Sequence, residues 1–354
     1  MGRDTILIAD DIQMDRLILA QIFSSDFNIL QAKNGQEVLQ QLEENHDKIA
    51  VILLDVIMPK MSGLEVLRQL KTSGETKNIP VIFITGDSDD ARMIHKAYDM
   101  GVAEIISKPI EKYSTERRVR NIINLYNEKY ILSETNRLQE QRINRTNEII
   151  IETIASMVET RAGDDDTGKH IYNIKTYTHI LLEYLNGTAP SFSWNKTQIQ
   201  EIMLASSLHD IGKILIPESI LLKPARLEHD EFEKMKKHTV YGCKVLKGLK
   251  GLKNIAADTF YRYSYDICRY HHEKWDGKGY PDGLKTDQIP THAHIVALAD
   301  VYDALTHRRV YKDAFSHEKA IEMIKNGECG HFAPWLYEAL DAVQDKFKEN
   351  LIIS

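Results

Sequence analysis

With 354 residues, 43% of them hydrophobic, the chain is long enough for two or three domains, each with its own core. A formal net charge of -7 excludes a general nucleic-acid binder, so any phosphate ligand has to meet a local cluster of cations. Three widely spaced cysteines, Cys243, Cys268 and Cys329, make no disulfide framework, and no apolar run approaches the roughly 18 residues of a membrane span. The expectation is a cytoplasmic protein with reduced, buried thiols and no membrane insertion.

Short apolar runs recur at Ile6 to Ala9, Val51 to Leu54 and Val81 to Ile84. Segments of helical spacing, such as Leu64, Leu67 and Leu70, separate them. Continuously apolar strands alternating with helices predict an α/β fold, a doubly wound parallel sheet covered on both faces. Ligands of such a sheet bind at the carboxyl ends of its strands. Those ends carry Asp10 and Asp11, then Asp55, then Thr85, then Lys108 followed by Pro109. Clustered carboxylates repel unless a cation joins them, so this set points to a cation site.

The pattern resembles the receiver domain of two-component response regulators, a flavodoxin-like fold, over residues 1–122. That resemblance implies that Asp55 accepts a phosphoryl group from a cognate histidine kinase. Asp11 and Asp55, with Asp10 through water, would hold Mg²⁺, while Thr85 and Lys108 contact the phosphoryl group. Ile105 stands three residues before the lysine, where many receivers carry an aromatic switch residue.

From Ile110 to Ala162 there is neither glycine nor proline, and Glu, Gln, Arg, Asn and Ile dominate. This predicts a long helical connector, with residues 123–149 as a signalling linker and a homodimer interface as one use for it. Its apolar seam is too irregular for a pure coiled coil. Helical spacing then returns at Ile150, Ile154 and Val158 and continues to the end, so residues 150–354 read as an all-α domain. The stretch 186–193, with Gly187 and Pro190, reads as a loop between helices.

Imidazoles and carboxylates concentrate in this second half. His209-Asp210 follows an apolar helical run and reads as the end of a buried helix that Gly212 terminates; His238 reads as part of a later charged helix. His271-His272 opens a loop holding Gly277, Gly279, Pro281 and Gly283, and Asp300 follows the run Ile295 to Ala299. A mixed imidazole and carboxylate set without thiolates suits iron, manganese or zinc and argues against a structural zinc knot. Cys268, three residues before His271, reads as a core thiol.

These motifs resemble the HD-GYP family of cyclic di-GMP phosphodiesterases. The resemblance rests on His209-Asp210-Ile211-Gly212-Lys213, Leu222-Lys223-Pro224, His238, His271-His272-Glu273, Gly279-Tyr280-Pro281 and Ala299-Asp300-Val301-Tyr302-Asp303-Ala304-Leu305-Thr306. It implies a metal-dependent phosphodiesterase in a multidomain response regulator, with a binuclear or trinuclear centre of iron or manganese. His209, Asp210, His238, His271, His272 and Asp300 would be the ligands, Asp210 bridging. Lys213 would hold the scissile phosphate, and Tyr280, Arg309 and Lys312 would contact the dinucleotide, opened to linear pGpG and further to GMP. Arg308, Arg309 and Lys312 would supply the local positive charge.

Members with three metals carry Glu-Thr-Gly-x-His, whereas this chain has Asp166-Thr167-Gly168-Lys169-His170, one methylene shorter at the carboxylate. His170 and Asp166 are the candidates for that third position. His294 and Ala333 replace an Arg and an Asp usual in the family. A catalytically silent cyclic di-GMP receptor, a hydrolase of another cyclic dinucleotide and an HD hydrolase of ordinary nucleotides are the alternative readings.

Overall fold

The computed structural model describes residues 3–72, 76, 78–86, 91–162, 167–249, 258–307 and 314–353. The chain divides into two compact units, Met1–Gln141 and Arg142–Ser354. In the first, strands β1 (Thr5–Ala9), β2 (Asn28–Ala32), β3 (Ile49–Asp55), β4 (Val81–Thr85) and β5 (Glu104–Ser107) form a parallel sheet in the order β2-β1-β3-β4-β5. Helices α1 (Gln13–Phe23), α2 (Gly35–Asn45), α3 (Gly63–Thr72) and α4 (Ala91–Asp99) connect them.

Every residue of β1, β3 and β4 is buried, which is why these strands read as unbroken apolar runs. Alternate residues feed two cores. Leu7, Ile52, Leu54 and Phe83 pack with Val38, Val66 and Leu67 on one face, while Ile6, Ile8, Leu53 and Ile82 pack with Leu19, Phe23 and Val119 on the other. Ile105 joins the first of these cores. Parallel pairing of Asp55 with Ile84 and of Thr85 with Ser107 aligns the strand ends at one edge. Asp10 and Lys108 directly follow β1 and β5 at that same edge.

Helix α5 runs from Lys112 to Arg161 without a break. Val119 and Ile123 bury against the sheet, residues 135–150 are exposed, and Ala155 and Val158 enter a core of the second unit.

The second unit continues with α6 (Thr167–Leu185), α7 (Lys196–Ser206), α8 (Glu218–Leu221), α9 (His229–Lys236), α10 (His238–Leu249), α11 (Asp258–Tyr270), α12 (Thr291–Thr306), α13 (His317–Lys325) and α14 (Pro334–Ile353). No strand occurs among its described residues. The loop expected around Gly187 and Pro190 separates α6 from α7. It ends in a capping box, in which Asn195 accepts from the Gln198 amide and Gln198 accepts from the Asn195 amide, each at 2.9 Å.

Tyr177, Tyr302 and Phe347 centre the core, with ring centroids 4.5–5.0 Å apart. Helix α12 is buried from Ala293 to Ala299, so it carries Asp300 on a rigid element. No helix among the described residues is long and apolar enough to cross a membrane.

Candidate metal centre

At the carboxyl edge of the sheet, Asp10 and Asp55 are buried and Asp11 is exposed, with one carboxylate oxygen of each within 4.8 Å of the others. Lys108 Nζ lies 2.8 Å from Asp10 Oδ2, Asp55 Oδ2 and Asp15 Oδ2. Thr85 is buried at the end of β4, its carbonyl accepting from the Lys108 amide at 2.7 Å. Burial pushes the Asp10 carboxyl up to about 6, with the Lys108 ammonium opposing it. Burial also works against the Lys108 charge, but the hydrogen bonds its ammonium donates to the aspartates hold its pKa above the usual lysine range. Asp10, Asp11, Asp55 and Lys108 therefore lie together, with Thr85 joined to Lys108 through the backbone. Asp15, in the first turn of α1, joins them, a residue the sequence did not point to.

The larger cluster lies in the helical unit. Asp210 Oδ1 is 3.1 Å from His238 Nε2 and 3.7 Å from His271 Nε2, and Asp210 Oδ2 is 3.3 Å from His209 Nε2 and 2.6 Å from Lys213 Nζ. His209 Nε2 also stands 3.9 Å from Asp300 Oδ1. Asp210, His238, His271 and His272 each bring a ligand atom within 4.8 Å of the rest.

Three of these rings are oriented by backbone. The Nδ1 atoms of His209, His238 and His271 bond the carbonyls of Ser206, Met235 and Ile267 at 2.9, 2.8 and 2.9 Å. A carbonyl only accepts, so each Nδ1 carries the proton and each Nε2 faces the cluster with its lone pair when the ring is neutral.

The charge states of Asp210, His271 and His272 suit a cation. Burial opposes ionisation of Asp210, but Lys213, His209 and His238 hold its carboxyl well below the usual range. Burial pushes His271 down to about 3 and pushes His272 down as well, keeping both neutral. For His209 burial is outweighed by Asp210 and Asp300, and its pKa rises to about 9.

The Nε2 atoms of His209, His238 and His271, and Asp210 Oδ1, are buried without a hydrogen-bond partner. A buried polar atom left unsatisfied costs about 1–3 kcal/mol. Those of His238, His271 and Asp210 lie together with a ligand atom of His272, and His209 Nε2 lies at the other Asp210 oxygen, a donor set that suits a divalent transition metal.

Family profiles match this division of labour: a response regulator receiver domain over residues 6–120 and an HD domain over residues 137–335. The chain belongs to the HD-domain family. It is a response regulator with a receiver ahead of the HD domain. A probable cyclic di-GMP phosphodiesterase of Vibrio cholerae is 36% identical over 98% of this chain and 79% of its own. A cyclic di-GMP phosphodiesterase response regulator of Xanthomonas campestris is 31% identical over 95% of this chain and 86% of its own. A 3'3'-cGAMP-specific phosphodiesterase 2 of Vibrio cholerae is 34% identical over 74% of this chain and 47% of its own.

Within the HD domain two sequence expectations need correction. Helix α7 ends at Ser206, so His209 and Asp210 lie in a turn leading into a 3₁₀ helix, Ile211–Leu215. Successive i to i+3 bonds, from the Leu208, His209 and Ile211 amides, tighten this stretch. Gly212 sits inside it rather than ending a helix, because α10 passes against its backbone: a Cβ there would lie 1.8 Å from the His238 carbonyl oxygen. His238 is not in the charged helix α9 but opens α10.

The cysteine expectation divides. Cys243 and Cys268 are free and buried, whereas Cys329 is half-buried. Asp166, Arg308, Arg309 and Lys312 fall outside the described residues.

The HD domain also uses motif residues to which the sequence assigned no individual role. Asp303 accepts from Asn173 at 2.9 Å and pairs with His170 Nδ1 at 2.6 Å and His307 Nδ1 at 3.0 Å, orienting the His170 ring. Burial opposes its charge, yet the two histidines hold its carboxyl far below the usual range. The signal was its spacing, three residues after Asp300 on one face of α12. Glu273 is fully buried and accepts from the amides of Asp282, Gly283 and Leu284 at 2.7, 3.0 and 3.0 Å, tying the glycine-rich loop to the histidine pair. That loop sets the Tyr280 ring 4.7 Å from His272.

Proposed function

We propose that the HD domain is a metal-dependent phosphodiesterase that opens cyclic di-GMP to linear pGpG and carries it on to GMP, under control of Asp55 phosphorylation. The observation that carries this reading is the convergence of three partnerless, buried Nε2 atoms on Asp210. Iron or manganese suits the set, since imidazole and carboxylate donors without thiolate match those ions. When bound, the ions supply water of lowered pKa and neutralise charge on a phosphodiester.

The residues do the rest. Asp210 would hold the ions from both of its oxygens, with Oδ1 towards His238 and His271 and Oδ2 towards His209 and Lys213. His272, Asp300 and His170 complete the ligand set. Lys213 holds a positive charge beside the scissile phosphate, where it stabilises the negative charge that develops there. Tyr280 presents a ring wall against which a nucleobase or ribose packs. Arg309 and Lys312 take the remaining phosphate.

In the receiver, Asp10, Asp11 and Asp55 hold Mg²⁺, and a cognate histidine kinase supplies the phosphoryl group to Asp55. Thr85 and Lys108 then contact it. Ile143, Ile150 and Met157 are exposed at intervals of seven residues along α5, which supports a homodimer built on that helix.

A 3'3'-cGAMP-specific relative makes cyclic GMP-AMP the second reading for substrate. A competition assay with both cyclic dinucleotides, run with and without acetyl phosphate, tests both parts. The expected result is a higher kcat/KM for cyclic di-GMP and a rate that changes once Asp55 is occupied. Preference for cyclic GMP-AMP would overturn the substrate assignment, and equal rates at full Asp55 occupancy would overturn the control.

A further inference from the structure

We propose that Glu159, near the end of α5, is itself a metal ligand that, with His170 and His209, forms a second corner of the centre; this rests on the metal-dependent reading above. Glu159 is 5% exposed, a poor place for a carboxylate unless a cation neutralises it. One carboxylate oxygen of Glu159 and one ring nitrogen each of His170 and His209 lie within 4.8 Å of one another.

Both imidazoles are prepared for coordination. Nδ1 of His170 is occupied by Asp303 at 2.6 Å and Nδ1 of His209 by the Ser206 carbonyl at 2.9 Å. Nε2 is therefore the coordinating atom of each, and that of His209 has no hydrogen-bond partner. Asp300 Oδ1, 3.9 Å from His209 Nε2, offers a further oxygen. Two imidazoles and one or two carboxylates are a set that manganese or iron accepts.

The competing role for Glu159 is to pair with Lys213, whose Nζ stands 3.3 and 3.4 Å from its two oxygens. Those contacts are long for a charge-assisted hydrogen bond. Lys213 is held more closely by Asp210, at 2.6 Å. Lys213 thus has a nearer partner, and the Glu159 carboxylate has the geometry to serve the two histidines.

The test counts metal per chain in full-length protein purified without oxygen and loaded with Mn²⁺. Glu159→Gln and His170→Ala should each lose one equivalent, the double variant should lose no more than that same equivalent, and Lys213→Met should keep the full count. Glu159→Gln with the wild-type count would overturn the proposal and leave Glu159 as a partner of Lys213. Should Glu159→Gln not fold, anomalous scattering from crystals of the Mn²⁺-loaded wild type decides. An ion about 2.0–2.2 Å from a Glu159 oxygen supports the proposal, and a centre without that contact removes it. A wild type that takes up no metal at all would defeat the phosphodiesterase reading instead, so the two failures are distinct.

Discussion

Asp210→Asn is expected to lower turnover of cyclic di-GMP by on the order of 10³-fold, equivalent to about 4 kcal/mol of transition-state stabilisation. The substitution is nearly isosteric, so the effect is one of charge and not of packing. In the native protein Asp210 is the only acidic group within 4 Å of His209, His238 and Lys213 together among the described residues. An amide there leaves the three imidazoles and a lysine around a neutral group, so a divalent ion no longer finds the charge that offsets its desolvation. Metal content, measured on the same sample, falls with the rate. A variant that kept its metal and stayed within about tenfold of wild-type turnover would show that Asp210 does not bridge the centre.

Gly212→Ala acts through the backbone and reaches the same centre. A methyl group there would stand 1.8 Å from the His238 carbonyl oxygen and 2.4 Å from the Gly242 nitrogen, and neither is a flexible side-chain end that can move aside. The 3₁₀ helix and α10 must therefore separate, which draws His238 away from Asp210. The expected destabilisation is at least about 3 kcal/mol, placing it among the larger single-residue effects. For a unit of this size that lowers Tm by roughly 6–12 °C. Calorimetry should show the loss in the HD-domain transition, with the receiver transition unmoved. An unchanged HD-domain Tm would mean that the close approach is not a constraint of the native fold.

The strands β1, β3 and β4 were legible because a sheet covered on both faces makes burial continuous along the chain. Strand β2 escaped, since Asn28 and Gln31 on this sheet edge are exposed and interrupt the apolar run. Strand β5 is only Glu104–Ser107, too short for a pattern.

In the HD domain, the identities of His209, Asp210, His238, His271 and His272 were readable as motifs. Their conformation was not, because the 3₁₀ turn at Asp210 is set by α10 crossing at Gly212, a contact between positions far apart in sequence. Glu159 was invisible for a related reason: among the charged residues of α5 nothing local separates a buried carboxylate from a solvated one. Asp303 and Glu273 act on neighbours that only the fold supplies, one through His170 and the other through the amides of the Tyr280 loop.

The most direct measurement is turnover of cyclic di-GMP against metal content, using protein stripped by chelation and then titrated without oxygen with Fe²⁺ or Mn²⁺, products being separated by chromatography. Linear pGpG should appear in proportion to bound metal and vanish in the stripped protein. Full turnover without metal, or tight binding of cyclic di-GMP by the loaded protein with no product, would contradict a metal-dependent phosphodiesterase.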